Sequence, residues 1–238
     1  MDSTAKKICI VGCGTIANVH AKHLRARAEL HFVSRRRESA EAFCASFNGA
    51  KVYDSYEQAL DADIDGVVLC TPPGHHIAHS TAALQHGKGV LVEKPLCTNP
   101  SELATVEETL AAHPNIPFVV AENYYYKPSL RLLQWIIGQG FIGSLQSIRV
   151  RKYFTQQASG WKSGYGALLE GGIHFVALIS ALVGQAPQRV TAQFPGMKPD
   201  RAERRSEVCM EYADGLRAEL HYRSEEHTSE LQSPDHLV

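Results

Sequence analysis

No run in the 238 residues approaches membrane-spanning length, and no long apolar core precedes the first glycine motif, so neither a membrane span nor a signal peptide is read. No extended basic block exists either: 24 Lys and Arg balance 25 Asp and Glu for a formal net charge of -1. That balance removes nucleic acid from the expected partners. A disulfide framework is also missing. The six cysteines (9, 13, 44, 70, 97 and 209) are scattered, several of them inside apolar runs, and read as free thiols of a reducing, cytoplasmic setting. What remains is 44% apolar and 21% charged, enough for the core of one large domain or two ordinary ones.

The first 121 residues alternate strand and helix patterns. Residues 7–11 (KICIV) read as a strand feeding GCGTIANVH, in which Gly12, Gly14 and Ala17 follow the G-x-G-x-x-G/A spacing. The first glycine permits a tight turn and the second lets the backbone approach a pyrophosphate. The small third residue lets the helix sit close to the sheet, with its amino end on the phosphate. Thr15 and Ile16 open that helix, which is expected to run to about residue 27, and suit backbone contact or stacking on a nicotinamide. His20 and His23 lie three apart on it, too few for a zinc site, and no metal is expected. The second strand, 30–33, lacks the acid that would bind a ribose diol. Ser34, Arg35 and Arg36 stand there instead and suit the 2′-phosphate of NADP better than NAD, unless the arginines are only a solvated helix start.

Helix 38–47, strand 51–53, helix 55–60 with Ser55 as a cap, and strand 65–70 follow. The strand ends in TPPGHH: Thr71, Pro72 and Pro73 shape a loop over the cofactor, and His75 or His76 opens the next helix, where a histidine touches the ligand or merely packs. After helix 77–86 comes GKGVLVEKPL (87–96), an apolar strand ending in Glu93, Lys94 and Pro95. A charged pair at the carboxyl end of such a strand suits the ligand crevice of an open α/β sheet. Lys94 held by Glu93 can stabilise the alkoxide that develops in hydride transfer, and the bond into Pro95 is cis or trans. Helix 100–112, capped by Asn99, and strand 118–121 complete a Rossmann-type doubly wound parallel sheet.

Residues 122–222 read as a second, incomplete α+β domain with a mostly antiparallel sheet: a helix at 129–139, strands at 145–154 and 188–194, and a hairpin of 204–212 and 216–222 about Ala213-Asp214-Gly215. Asn123 or one of Tyr124–Tyr126 lines a substrate cleft or packs a hinge. The segment 156–166, carrying Trp161, Lys162 and Tyr165, is a candidate substrate mouth. In GALLEGGIHFVALISALVG (166–184), Glu170 and His174 stand four apart and can share a helix face. His174 then acts as acid and base beside Lys94, and Glu170 orients it or binds substrate.

Four blocks, at 10–20, 66–84, 87–96 and 166–184, resemble in that order the glucose-fructose oxidoreductase / inositol dehydrogenase / rhizopine catabolism family of NAD(P)-dependent enzymes. The resemblance covers residues 6–222 and implies hydride transfer between NADP or NAD and a sugar, polyol or related hydroxy or keto compound. It implies a substrate-binding, catalytic role for Lys94, and a full-length form that assembles as a homo-oligomer through an open sheet face. The family usually has aspartate four residues before this histidine; here Glu170 stands in its place. The alternative reading is a cofactor-binding regulatory or structural protein, or an inactive fragment of the enzyme. Residues 223–238, RSEEHTSELQSPDHLV, resemble a translated sequencing adapter. That resemblance implies an artefactual tail, no metal role for His227 or His236, and a chain truncated near Tyr222 with apolar surface left exposed.

Overall fold

The computed structural model describes residues 5–155, 164–198 and 200–225, and the chain divides between Ala121 and Glu122 into two compact units. The first unit runs β1 (Lys6–Val11), α1 (Thr15–Leu24), β2 (Ala28–Val33), α2 (Arg37–Phe47), β3 (Lys51–Val52), α3 (Tyr56–Asp61) and β4 (Gly66–Leu69). It continues through α4 (His76–Gln85), β5 (Gly89–Val92), α5 (Pro100–Ala112) and β6 (Phe118–Val120). Every pairing is parallel, in the order β3-β2-β1-β4-β5-β6.

The side-chain period of two sorts these strands onto two cores. Cys9, Val11, Val67, Leu69, Val90 and Val92 pack with Tyr56, Leu60, Ala83 and Leu84 of α3 and α4. Ile10, Leu30, Phe32 and Val68 face Ala17, Ala21, Ala40 and Phe47 of α1 and α2. Burying Ile10, Phe32 or Leu69 completely stabilises the fold by about 1.5–3 kcal/mol per side chain. The doubly wound sheet is thus present as read.

Local chemistry sets most element ends. Ser55 accepts from the Gln58 N–H at 3.2 Å, and Asn99 accepts from the Glu102 N–H at 3.1 Å with Pro100 in the first turn. The largest shift from expectation in this unit lies between α1 and β2: α1 stops at Leu24, and β2 begins at Ala28 because Ala28 and Glu29 extend the ladder opposite Lys6 and Lys7 of β1.

The second unit contains α6 (Pro128–Gly138), β7 (Ser147–Thr155), α7 (Ile173–Val183), β8 (Arg189–Gln193), β9 (Arg205–Glu211) and β10 (Arg217–Glu225). Its sheet order is β7-β10-β9-β8. The β8–β9 and β9–β10 pairs are antiparallel, whereas β7 lies parallel to β10. The sheet is therefore mostly antiparallel, but β7 itself is not. Val208, Met210, Leu220 and Tyr222 pack with Ile179 of α7 on one face. The hairpin turns at Gly215, where φ is +82°.

β10 continues to Glu225, beyond the expected end at Tyr222. Lying between β7 and β9, it finds backbone partners on both sides: Arg223 pairs with Arg205 and Tyr153, and the Ser224 N–H donates to Arg204 O at 2.9 Å. The first residues of the adapter-like stretch are thus part of the sheet. Large apolar side chains are exposed on this unit, including Trp135, Phe141 and Ile142. Trp161, Lys162, His227 and His236 lie outside the described residues.

Candidate functional site

Strand order reverses between β1 and β4, the place where an open parallel sheet opens a crevice at its carboxyl ends. Gly12 sits at that point. Its N–H donates to Val33 O at 2.8 Å and its φ of +89° lies in the left-handed region. A Cβ on Gly12 would come 3.0 Å from Cys70 O, so the turn requires glycine for conformation and for space. A Cβ on Gly14 would meet nothing within 4 Å.

Gly14 is also the N-cap of α1, with no capping side chain and no acid in the first turn. The N–H groups of Thr15, Ile16 and Ala17 therefore lack intrahelical acceptors, and Gly14, Thr15 and Ile16 are exposed. This bare amino end, with open space before it, fits a phosphate. Thr71, which follows β4, carries a buried hydroxyl oxygen with no hydrogen-bond partner among the described residues, and Pro72 beside it is exposed. The donor set and the unfilled space fit a dinucleotide. Cys13 lies inside the turn, but burial pushes its thiol up to about 12, so it is no nucleophile.

After β2, half-buried Ser34 is followed by exposed Arg35 and Arg36, and neither arginine has an ion-pair partner among the described residues. Arg37 differs: its guanidinium pairs with Glu41 at 2.8 Å and with Asp54. The three arginines are therefore not equivalent, and two are available to an anion.

Glu93 stands at the carboxyl end of β5. One of its oxygens lies 2.8 Å from His20 Nε2 on α1, and the other accepts the Lys94 N–H at 3.2 Å. The charged block is thereby tied to the helix that follows the glycine turn. The Lys94–Pro95 bond is cis. His76 is buried, with Nδ1 2.7 Å from Pro95 O and Nε2 2.7 Å from Thr71 O. Both ring nitrogens thus face backbone carbonyls. His76 staples the loop after β4 to the loop after β5.

In the second unit, Leu168–Gly172 form a π-helical turn that leads into α7. Glu170 lies in that turn and is buried. The carboxylate that holds His174 is Glu122: its two oxygens lie 2.7 and 2.8 Å from His174 Nδ1. Tyr124 stacks on the imidazole, with centroids 5.3 Å apart and planes inclined by 19°. Glu170 is buried near Tyr222, whose hydroxyl is raised by burial and then by the Glu170 carboxylate. Gly171 gives Tyr222 its space, because a Cβ there would overlap the phenol oxygen.

Two family models match almost the whole chain: "Oxidoreductase family, NAD-binding Rossmann fold" over residues 6–121, and "GFO/IDH/MocA C-terminal domain" over residues 130–233. The chain belongs to this family. It is 30% identical over 187 residues to glucose-6-phosphate 3-dehydrogenase of Bacillus subtilis, a match covering 73% of this chain and 53% of that protein. It is 30% identical over 196 residues to trans-1,2-dihydrobenzene-1,2-diol dehydrogenase of Mus musculus, covering 77% and 58%. The chain thus spans little more than half the length of these relatives. Scyllo-inositol dehydrogenase from Lactobacillus casei, solved with NAD(H) and scyllo-inositol, superposes with a TM-score of 0.81 at 21% identity, covering 94% of this chain and 71% of that one.

As a family member, the chain has a Rossmann sheet that brings Gly12, Gly14, Thr15, Ile16, Ala17 and Thr71 to one end and joins Glu93 to His20. It does not bring Glu170 to the Nδ1 of His174, and it turns His76 inward. Two residues escaped the sequence reading. Glu122 directly follows strand β6, and only its position after an apolar strand marked it. His20 was weighed only for metal. Among the described residues, no cluster of three His, Cys, Asp or Glu side chains could hold a metal ion, and no helix is long and apolar enough to cross a membrane.

Proposed function

We propose that the chain is an oxidoreductase of CH–OH groups, passing hydride between NADP, in preference to NAD, and a sugar, polyol or related hydroxy or keto compound. The observation that carries this reading is the hydrogen bond between Glu93 and His20, which fastens the Glu93-Lys94-Pro95 block to the dinucleotide-type helix. In this reading, the N–H groups at the start of α1, with Gly12, Gly14 and Ala17, hold the pyrophosphate. Ser34, Arg35 and Arg36 take the ribose and its 2′-phosphate, and Thr71 and Pro72 shape the loop against the nicotinamide half.

Bound there, the dinucleotide supplies the hydride acceptor or donor. Lys94 stabilises the negative charge that grows on the substrate oxygen, and His174 exchanges the hydroxyl proton through Nε2. Glu93 fixes the Lys94 backbone, and Glu170 is a further polar group for substrate. The names of the two curated relatives, a sugar-phosphate dehydrogenase and a diol dehydrogenase, support a hydroxylated substrate. The structural relative from Lactobacillus casei holds NAD(H), so the NADP preference rests on Arg35 and Arg36 alone.

The test is Lys94→Ala. NADP-linked turnover of a panel of sugars and polyols is expected to fall on the order of 10²–10³-fold, with NADPH binding by fluorescence titration unchanged. Turnover equal to wild type refutes the role of Lys94.

A further inference from the structure

His174 is useful as a proton acceptor only if its reactive nitrogen is bare, and a neutral imidazole has one bare nitrogen and one N–H. Here Nδ1 faces both oxygens of the Glu122 carboxylate at 2.7 and 2.8 Å, while Nε2 has no hydrogen-bond partner among the described residues. A carboxylate only accepts, so the ring proton belongs on Nδ1. From this geometry we infer that Glu122 is the positioning residue of the site: it fixes His174 in the Nδ1–H tautomer and leaves the Nε2 lone pair for the substrate hydroxyl.

Three features show that the carboxylate is held for this purpose. Glu122 is 6% exposed, so little solvent competes for its oxygens. The oxygen 2.7 Å from His174 also accepts the Tyr124 N–H at 3.0 Å, which anchors the carboxylate to the short 3-10 turn Asn123–Tyr126. Tyr124 then covers the imidazole face, and the Lys127 ammonium lies 3.3 Å from the Tyr124 centroid. Carboxylate, imidazole, phenol and ammonium form one packed group, so the ring can neither rotate freely nor exchange its two nitrogens.

The proton balance follows. In the oxidising direction the substrate hydroxyl gives its proton to Nε2 as the carbon gives hydride to the cofactor, and the resulting imidazolium keeps its Nδ1–H on Glu122. In the reducing direction the Nε2–H returns the proton to the substrate oxygen. Glu122 itself neither gains nor loses a proton. Its role resembles that of a carboxylate behind a catalytic histidine in general, where an amide replacement keeps the shape but selects the wrong tautomer.

The inference rests on the oxidoreductase reading for its purpose, but its test does not need substrate. The ¹⁵N shifts of His174, assigned by loss of the signal in His174→Gln, report the tautomer at a pH where the ring is neutral. Wild type is expected to show Nδ1–H, and Glu122→Gln to shift toward Nε2–H. With a turned-over substrate, Glu122→Gln is expected to lower kcat on the order of 10²-fold with KM within about threefold. Nε2–H in the wild-type protein overturns the inference, whether or not any variant folds. An unchanged tautomer in a folded Glu122→Gln protein also overturns it. Nδ1–H in wild type with no turnover on any sugar or polyol supports the positioning role and counts against the oxidoreductase reading instead.

Discussion

Cofactor choice can be tested one arginine at a time, because Arg35, Arg36 and Arg37 stand side by side in different surroundings. Arg37 already pairs with Glu41 and Asp54, whereas Arg35 and Arg36 are exposed and have no ion-pair partner among the described residues. A charge-assisted contact to a phosphate contributes about 1.5–3 kcal/mol, and each 1.4 kcal/mol is about tenfold in affinity. Arg36→Ala should therefore weaken NADPH binding about 10- to 100-fold while leaving NADH within about threefold, since NADH has no 2′-phosphate to lose. Arg35→Ala should act the same way, with its size set by its share of the phosphate. Arg37→Ala is the control: it removes two exposed ion pairs, about 1 kcal/mol of stability at most, and no selectivity. The assay is fluorescence titration of each variant with both reduced cofactors at fixed salt. Tighter binding of NADH than NADPH by wild type refutes the reasoning, as does an equal loss for both cofactors in Arg36→Ala.

Two further outcomes follow from the first unit. Gly12→Ala forces a side chain into φ +89° and to 3.0 Å from Cys70 O, so it should cost about 1–2 kcal/mol or more in urea unfolding; Gly14→Ala, which meets nothing within 4 Å, should leave stability within about 1 kcal/mol yet weaken either cofactor. The Asp65 carboxyl is held below its ordinary range by the Lys6 ammonium and the Lys7 N–H. Being depressed on folding, it stabilises above its unfolded value near about 3.9 and loses that contribution as pH falls through the folded value. Asp65→Asn should therefore lower Tm modestly at pH 7, and the gap to wild type should close as the pH falls through the depressed folded value.

Much of the first unit was legible because its signals are local. Apolar runs of four to six residues, glycines at turn positions, and the Asn99-Pro100 pair each act within a few residues of where they stand. The α5 boundaries could be read to the residue for that reason. What escaped is non-local. Nothing in residues 145–154 says that β7 will lie parallel to β10, because that choice depends on how the chain returns after α7. His76 shows the same limit: its two carbonyl partners are Thr71, five residues before, and Pro95, nineteen after. A histidine beside a ligand loop and a histidine stapling that loop have the same local sequence.

Glu170 and Glu122 show how far this limit reaches into the site. A carboxylate four residues before a histidine is the pairing that a regular helix would make, and Glu170 satisfies that rule. The rule presumes 3.6 residues per turn. Leu168–Gly172 wind instead as a π turn, in which each hydrogen bond spans one more residue. Gly171 and Tyr222 belong to the same arrangement, since the phenol fills the space that a Cβ would need. The Nδ1 of His174 meets instead a carboxylate 52 residues away in sequence, fixed by its own backbone turn. Charge, donor and acceptor are those that the helix spacing suggested; the residue that supplies them stands far off in sequence, which spacing alone does not reveal.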